Sequence, residues 1–177
     1  MSTRGADACL TRPTLYERRP LWGSGQGNHE RINLAPLSKR SSRELADALL
    51  VRLDPVPAAL RDLLTGSAEG NPFFVEELLG MLIDDGVIVT HTPTDPERWQ
   101  VVPDKLLKVH VPPTLAGLLQ ARLDGLPPKE KAALQEASVI GHVFWDEPLK
   151  RIDPAAPEAL EGLMKRELTQ ARPRSGS

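Results

Sequence analysis

One cysteine in 177 residues leaves no internal disulfide to staple a small loop-rich fold, and Cys9 alone cannot build a thiolate metal site. Aromatic residues are also scarce, at 4 %, so a core must be assembled from Leu, Val, Ile and Ala, which favours helices over a β-sandwich. Apolar residues never run on toward the 18 or so that a membrane-spanning helix needs. The opening MSTRGADACLTRP lacks the apolar centre of a secretory leader. Basic excess is missing too: 22 Lys and Arg against 24 Asp and Glu give a net charge of −2, without the whole-chain cationic footprint of a nucleic-acid binder. A reduced thiol, no leader and no membrane span lead to the expectation of a cytoplasmic protein outside the membrane.

Several chemistries are absent as motifs. A phosphate-binding loop needs G-x-x-x-x-G-K-[ST], because a nest of N–H groups must cradle phosphates while Lys and Ser/Thr reach phosphate and Mg²⁺. Gly23, Gly25 and Gly27 are not followed by Gly-Lys-Ser/Thr. The acidic pair Asp84-Asp85 ends a helical pattern, where a magnesium-holding pair would end an apolar strand. There is no G-x-S-x-G and no H-E-x-x-H, and His29, His91, His110 and His142 show no ligand spacing. Neither a catalytic residue nor a metal ligand is assigned.

Prolines, 17 of them, punctuate what remains. Residues 1–40 lack helical periodicity: Ala8 to Leu10 reads as a strand end stopped at Arg12-Pro13, and Arg31 to Leu34 as a short strand. From Ser41 the pattern turns helical. Ser41 and Glu44 have capping-box spacing, with Leu45, Leu49 and Leu53 in register. A second helix fits Pro57 to about Thr65. In AEGNPFFVEELLGMLIDDG, Asn71 is an N-cap, Pro72 suits the first helical position and Gly86 suits a left-handed stop. Val87 to Val89 and Trp99 to Val102 predict a small hairpin across the turn-rich residues 91–97. Pro112-Pro113-Thr114 opens a helix carrying Leu115, Leu118, Leu119, Arg122 and Leu123. Pro128 starts another through about Ile140, closed by Gly141, and a last helix fits Pro157 to Leu168. The polar residues 170–177 predict a disordered tail.

Leu10-Thr11-Arg12-Pro13, Leu34-Ala35-Pro36-Leu37-Ser38, Glu69 to Leu78 (EGNPFFVEEL), Val111-Pro112-Pro113-Thr114-Leu115 and the run from Leu118 to Asp146 together resemble a known family. It is the signal-transduction ATPases with numerous domains, a branch of the AAA+-like P-loop proteins, in the version attached to class III adenylate/guanylate cyclase domains. The likeness covers roughly residues 9–168. It implies a mainly α fold with a remnant of a P-loop α/β sheet at 1–40, a helical lid with a β-hairpin at 41–110 and a winged-helix-like helical module at 111–169. Arg12 matches the sensor-1 position facing a γ-phosphate, and Gly70-Asn71-Pro72 the family's G-x-P motif, with Pro72 against adenine. ATP with Mg²⁺ is the implied cofactor of intact members. Without the phosphate loop this chain reads as the later part of such an ATPase region, unable to hydrolyse ATP alone and binding nucleotide weakly or not at all. Its implied partners are the preceding half of the ATPase and a cyclase domain.

Plainer readings stand beside these. Arg12 also reads as a surface arginine before a proline, and helix capping alone accounts for Gly70-Asn71-Pro72. Glu76 and Glu77 read as surface acids favouring the helix dipole. Phe73 and Phe74 read as core residues, and Trp22, Trp99 and Trp145 as packing residues. Two other function classes remain open: a helical module that binds a protein partner, and a winged-helix DNA binder, the latter disfavoured by the charge balance of 114–168.

Overall fold

The computed structural model describes residues 9–25, 27, 29–91, 98–141, 143–144 and 146–171. The chain divides into two units, residues 1–35 and residues 36–177. Among the described residues it is mainly helical, with nine helices and one two-stranded antiparallel sheet.

In the first unit a single short helix, α1 (Thr14–Arg18), follows Pro13. No strand occurs among its described residues, so the strand expected at Arg31 to Leu34 does not form. A strand persists through ladder hydrogen bonds to a neighbour, and the described part of this unit offers none. The described part of the strand end expected at Ala8 to Leu10, Cys9 and Leu10, is likewise irregular. Arg31 lies over the Tyr16 ring at 3.8 Å.

The second unit starts with α2 (Lys39–Leu49), three residues earlier than a capping box at Ser41 and Glu44 predicts. Ser38 is the cap, accepting from the Ser41 backbone N–H at 3.1 Å. Glu44 instead pairs with Arg40 one turn before it at 2.8 Å. Helix α3 (Ala58–Ser67) places Leu60 and Leu64 one turn apart, both fully buried. Helix α4 (Pro72–Asp84) buries Phe74, Val75, Leu78, Leu79, Met81 and Leu82. Its stop is a Schellman arrangement: Gly86 at φ +64, with Val87 donating to the Leu82 carbonyl and Gly86 to that of Ile83. Only a left-handed residue permits that pair of bonds, hence glycine. Strands β1 (Ile88–Val89) and β2 (Gln100–Val101) then pair, Ile88 opposite Val101. The expected hairpin is present, with shorter strands, while residues 92–97 of its connection lie outside the described residues.

Helix α5 (Pro103–Leu106) follows directly. Helix α6 (Leu115–Asp124) is capped by Thr114, whose hydroxyl accepts from the Gly117 backbone N–H at 3.1 Å. Helix α7 (Pro128–Ile140) has the bounds the prolines and Gly141 predict. Two helices complete the unit, α8 (Asp146–Ile152), which the sequence pattern did not signal, and α9 (Ala156–Lys165). The described residues of 111–169 contain no strand.

Two hydrophobic clusters result. The first gathers α2, α3, α4, the hairpin and Leu118 of α6. The second is built on Leu126, Ala133, Ala137, Leu149, Ala156 and Leu163. The small Ala133 and Ala137 of α7 let α9 approach closely, and Leu163 and Leu149 fill the space between at full burial. Each such leucine contributes roughly 1.5–3 kcal/mol relative to exposure. Among the described residues none belongs to both clusters.

Candidate functional site

The turn before α4 is set by its backbone. Glu69 and Gly70 are successive left-handed residues, at φ 48 and φ 81. Leu37 donates its backbone N–H to the Gly70 carbonyl at 2.8 Å. A β-carbon on Gly70 would stand 2.5 Å from the Leu37 carbonyl oxygen. The close approach that glycine permits here is therefore to the chain's own Leu37, and Gly70 is buried. Asn71 caps α4 through its side-chain oxygen, which accepts from the Phe73 N–H at 3.1 Å. Asn71 and Pro72 are exposed. So is Phe73, at 45 %, against its expected place in the core. It stands on the first turn of α4 away from the stripe of Phe74, Leu78 and Leu82, whereas Phe74 is buried as expected.

Arg12 is exposed and belongs to the first unit, where its carbonyl accepts from the Leu15 N–H at the start of α1. Gly70, Asn71 and Pro72 are brought together by sequence adjacency and by the turn.

A second constellation was not legible from motifs. Arg122 of α6, in line with leucines, has a side chain only 5 % exposed. All three of its guanidinium nitrogens are used. Nη1 donates to Glu77 at 2.5 Å, Nε to Asp84 at 3.3 Å and Nη2 to the Arg166 carbonyl at 2.8 Å. Arg166, just past α9, donates from Nη1 to Asp84 at 2.5 Å and from Nε to Glu130 of α7 at 3.0 Å. Asp84 bridges the two arginines. Burial disfavours the charge of Arg166, but its attraction to Asp84 and Glu130 and their hydrogen bonds outweigh that, holding its pKa above the ordinary arginine value.

Glycines make room for this cluster. Glu77, Gly80 and Asp84 fall on one face of α4 by helical spacing. A β-carbon at Gly80 would come within 2.9 Å of the Arg122 guanidinium carbon. On α9, a β-carbon at Gly162 would collide with the Glu130 carboxylate. Glu77 is thus no surface acid as expected, since its side chain is 15 % exposed and paired with a buried cation, whereas Glu76 is exposed. The usable signals were an arginine inside an apolar register and the spacing of Glu77, Gly80 and Asp84. Neither belongs to a motif that names chemistry.

Two open hollows lie elsewhere. One of about 670 Å³ is lined by Val51, Arg52, Leu53, Asp54 and Arg98. The other, about 370 Å³, lies beside Pro55, Pro57, Trp99 and Leu106. Neither touches the 70–72 turn or the charge cluster, and volume alone carries less chemistry than those two do. Among the described residues no three His, Cys, Asp or Glu side chains stand together as a metal site, and no helix is long and apolar enough to cross a membrane.

No family model, curated protein or solved structure matches this chain.

Proposed function

We propose that the chain is a nucleotide-responsive regulatory segment of an ATPase of the signal-transduction type, with the turn Gly70-Asn71-Pro72 facing the adenine. The observation that carries this reading is the exposed Pro72-Phe73 pair at the capped N-terminus of α4, following a left-handed glycine turn pinned to Leu37. An apolar ledge on a rigid turn suits the flat face of a base.

The same residues fit a base better than a triphosphate. No phosphate-loop sequence is present, and that cradle ordinarily supplies most of the anchoring. Arg12 serves in this reading as the group that senses a terminal phosphate held by another part of the ATPase, with Mg²⁺ supplied along with the nucleotide. Residues 1–40 then stand for a nucleotide-core remnant, and residues 111–169 for a winged-helix-like module whose position answers to nucleotide through α4. On its own the chain binds ATP weakly and does not turn it over. A cyclase domain would be the output partner.

The test is an amide NMR titration of the chain with adenosine and with Mg-ATP. Millimolar, saturable shifts at Gly70, Asn71 and Phe73 with both ligands are expected. Shifts absent there, or confined to other elements, overturn the adenine-facing turn. Micromolar saturation by Mg-ATP overturns the claim that the chain lacks its own phosphate anchor.

A second reading, a helical module for a protein partner, is favoured by Leu107, Val139 and Ile152, all more than half exposed. It predicts no shift at the 70–73 turn with either ligand.

A further inference from the structure

The two open hollows adjoin where the connection from α2 to α3 meets the hairpin, and Leu53 and Asp54 line both. Their walls are pinned by the backbone. Trp99 donates its N–H to the Arg52 carbonyl at 3.0 Å, and Leu53 donates to that of Leu50 at 2.8 Å. Across the same junction Arg98 pairs with Asp54 at 2.8 Å. Pro55, Pro57 and Pro103 stand in the wall of the smaller hollow, each with φ fixed by its ring. Little ordering is therefore left for a ligand to impose, which favours binding.

The two hollows differ in chemistry. The smaller is mostly apolar, with Trp99, Val101 and Leu106 beside the prolines. Its volume of about 370 Å³ lies within the range of roughly 300–1,000 Å³ usual for small-molecule sites. Trp99 is half-buried, so part of its indole stays open to a ligand. The larger hollow carries Arg52, Asp54 and Arg98. Asp54 is matched by Arg98, while among the described residues Arg52 has no ion pair. The Arg52 guanidinium stands over the Trp99 ring at 5.9 Å, so an unmatched cation and an apolar wall lie within the length of one small molecule.

We propose that the two hollows form one binding site for a small aromatic carboxylate, its ring against Trp99 and the prolines and its carboxylate on Arg52. A guanidinium suits this anion because its planar fork matches a carboxylate and is weakly hydrated. Both halves are needed. A neutral ring would use the apolar wall alone, and a carboxylate without a ring would meet an exposed arginine, which contributes little in water. The site touches neither the 70–72 turn nor the buried charge cluster, so it is separate from the nucleotide reading.

The experiment is an NMR titration of the full chain with 2-naphthoate, and with 2-naphthalenemethanol as the uncharged counterpart. Saturable shifts are expected at the Trp99 indole N–H and at the Leu53 and Gln100 amides, with the acid binding about fivefold more tightly than the alcohol. Arg52→Gln changes an exposed side chain and should remove that difference by weakening the acid alone. Arg40→Gln removes the same charge from a position lining neither hollow, and should bind both probes as the parent does. Equal affinity for acid and alcohol in the parent chain overturns the proposal, whatever becomes of the variants. So does an equal loss in Arg40→Gln and Arg52→Gln, which would mark a general effect of net charge. Shifts centred on Gly70, Asn71 and Phe73 would place the probe on the α4 turn and overturn it as well.

Discussion

A glycine in a helix interior ordinarily costs about 1 kcal/mol relative to alanine, and Gly80 stands well inside α4. Gly80→Ala would on that ground stabilise the protein. The guanidinium of Arg122, however, lies where the new methyl would go, 2.9 Å from its carbon atom. A long side chain normally swings aside at little cost, but this one is held by three hydrogen bonds to Glu77, Asp84 and the Arg166 carbonyl. Moving it would strand carboxylates that are 15 % and 19 % exposed, and an uncompensated buried charge costs several kcal/mol. The expected outcome is a destabilisation of about 1–2 kcal/mol, after the helix gain is subtracted from the partial loss of pairing. A urea midpoint that rises in Gly80→Ala would show that Arg122 is free to move and that its bonds contribute little.

At the scale of the helix the sign reverses one cap away. Helix α9 ends like α4, with Leu168 donating to the Leu163 carbonyl at 3.0 Å across a left-handed residue. In α4 that residue is Gly86; after α9 it is Glu167, at φ 59 and exposed. A side chain in this conformation costs roughly 1–2 kcal/mol, and among the described residues the exposed Glu167 side chain has no hydrogen bond or ion pair to offset it. Glu167→Gly should therefore stabilise the chain by about 1 kcal/mol, read as a higher thermal midpoint without change in helix content. A lower midpoint would mean that the Glu167 side chain supports the end of α9. The same contrast explains which helices the sequence disclosed. Asn71-Pro72, Gly86, Pro128 and Gly141 are explicit start and stop residues, and α4 and α7 have close to the expected bounds. Helix α9 has no glycine stop, and it ends at Lys165, three residues before the expected Leu168. Helix α8 is seven residues long, too short for apolar periodicity to rise above its surroundings. Of the candidate site, the 70–72 turn was legible because capping is local. The charge cluster was not, because it joins α4, α6, α7 and the residue after α9, partners as far apart in sequence as Asp84 and Arg166.

For the whole molecule, the question is which part of the chain carries the fold. Both hydrophobic clusters are drawn from residue 45 onward. The described residues of 9–35 bury no side chain, and Leu10, Leu21, Ile32 and Leu34 are 75 % or more exposed. Sequence periodicity already separated these parts, since helical register begins only after residue 40, but it supplied two strands where the described residues form none. Strand formation depends on a neighbour, which local pattern cannot report. Apolar burial is the dominant favourable contribution to folding, so a segment without buried side chains contributes little to it. A chain of residues 36–177 should thus fold alone, with a thermal midpoint within about 3 °C of the full chain and unfolding that remains cooperative. The start at Pro36 retains Leu37, whose N–H and carbonyl pack on the Gly70 turn, and Ser38, which caps α2. Beginning instead at residue 39 removes both, and should lower the midpoint by several degrees more, since a cap alone is worth about 1 kcal/mol. Equal losses for the two truncations would place the support in residues 9–35 after all, and the ordering of the two midpoints decides between them.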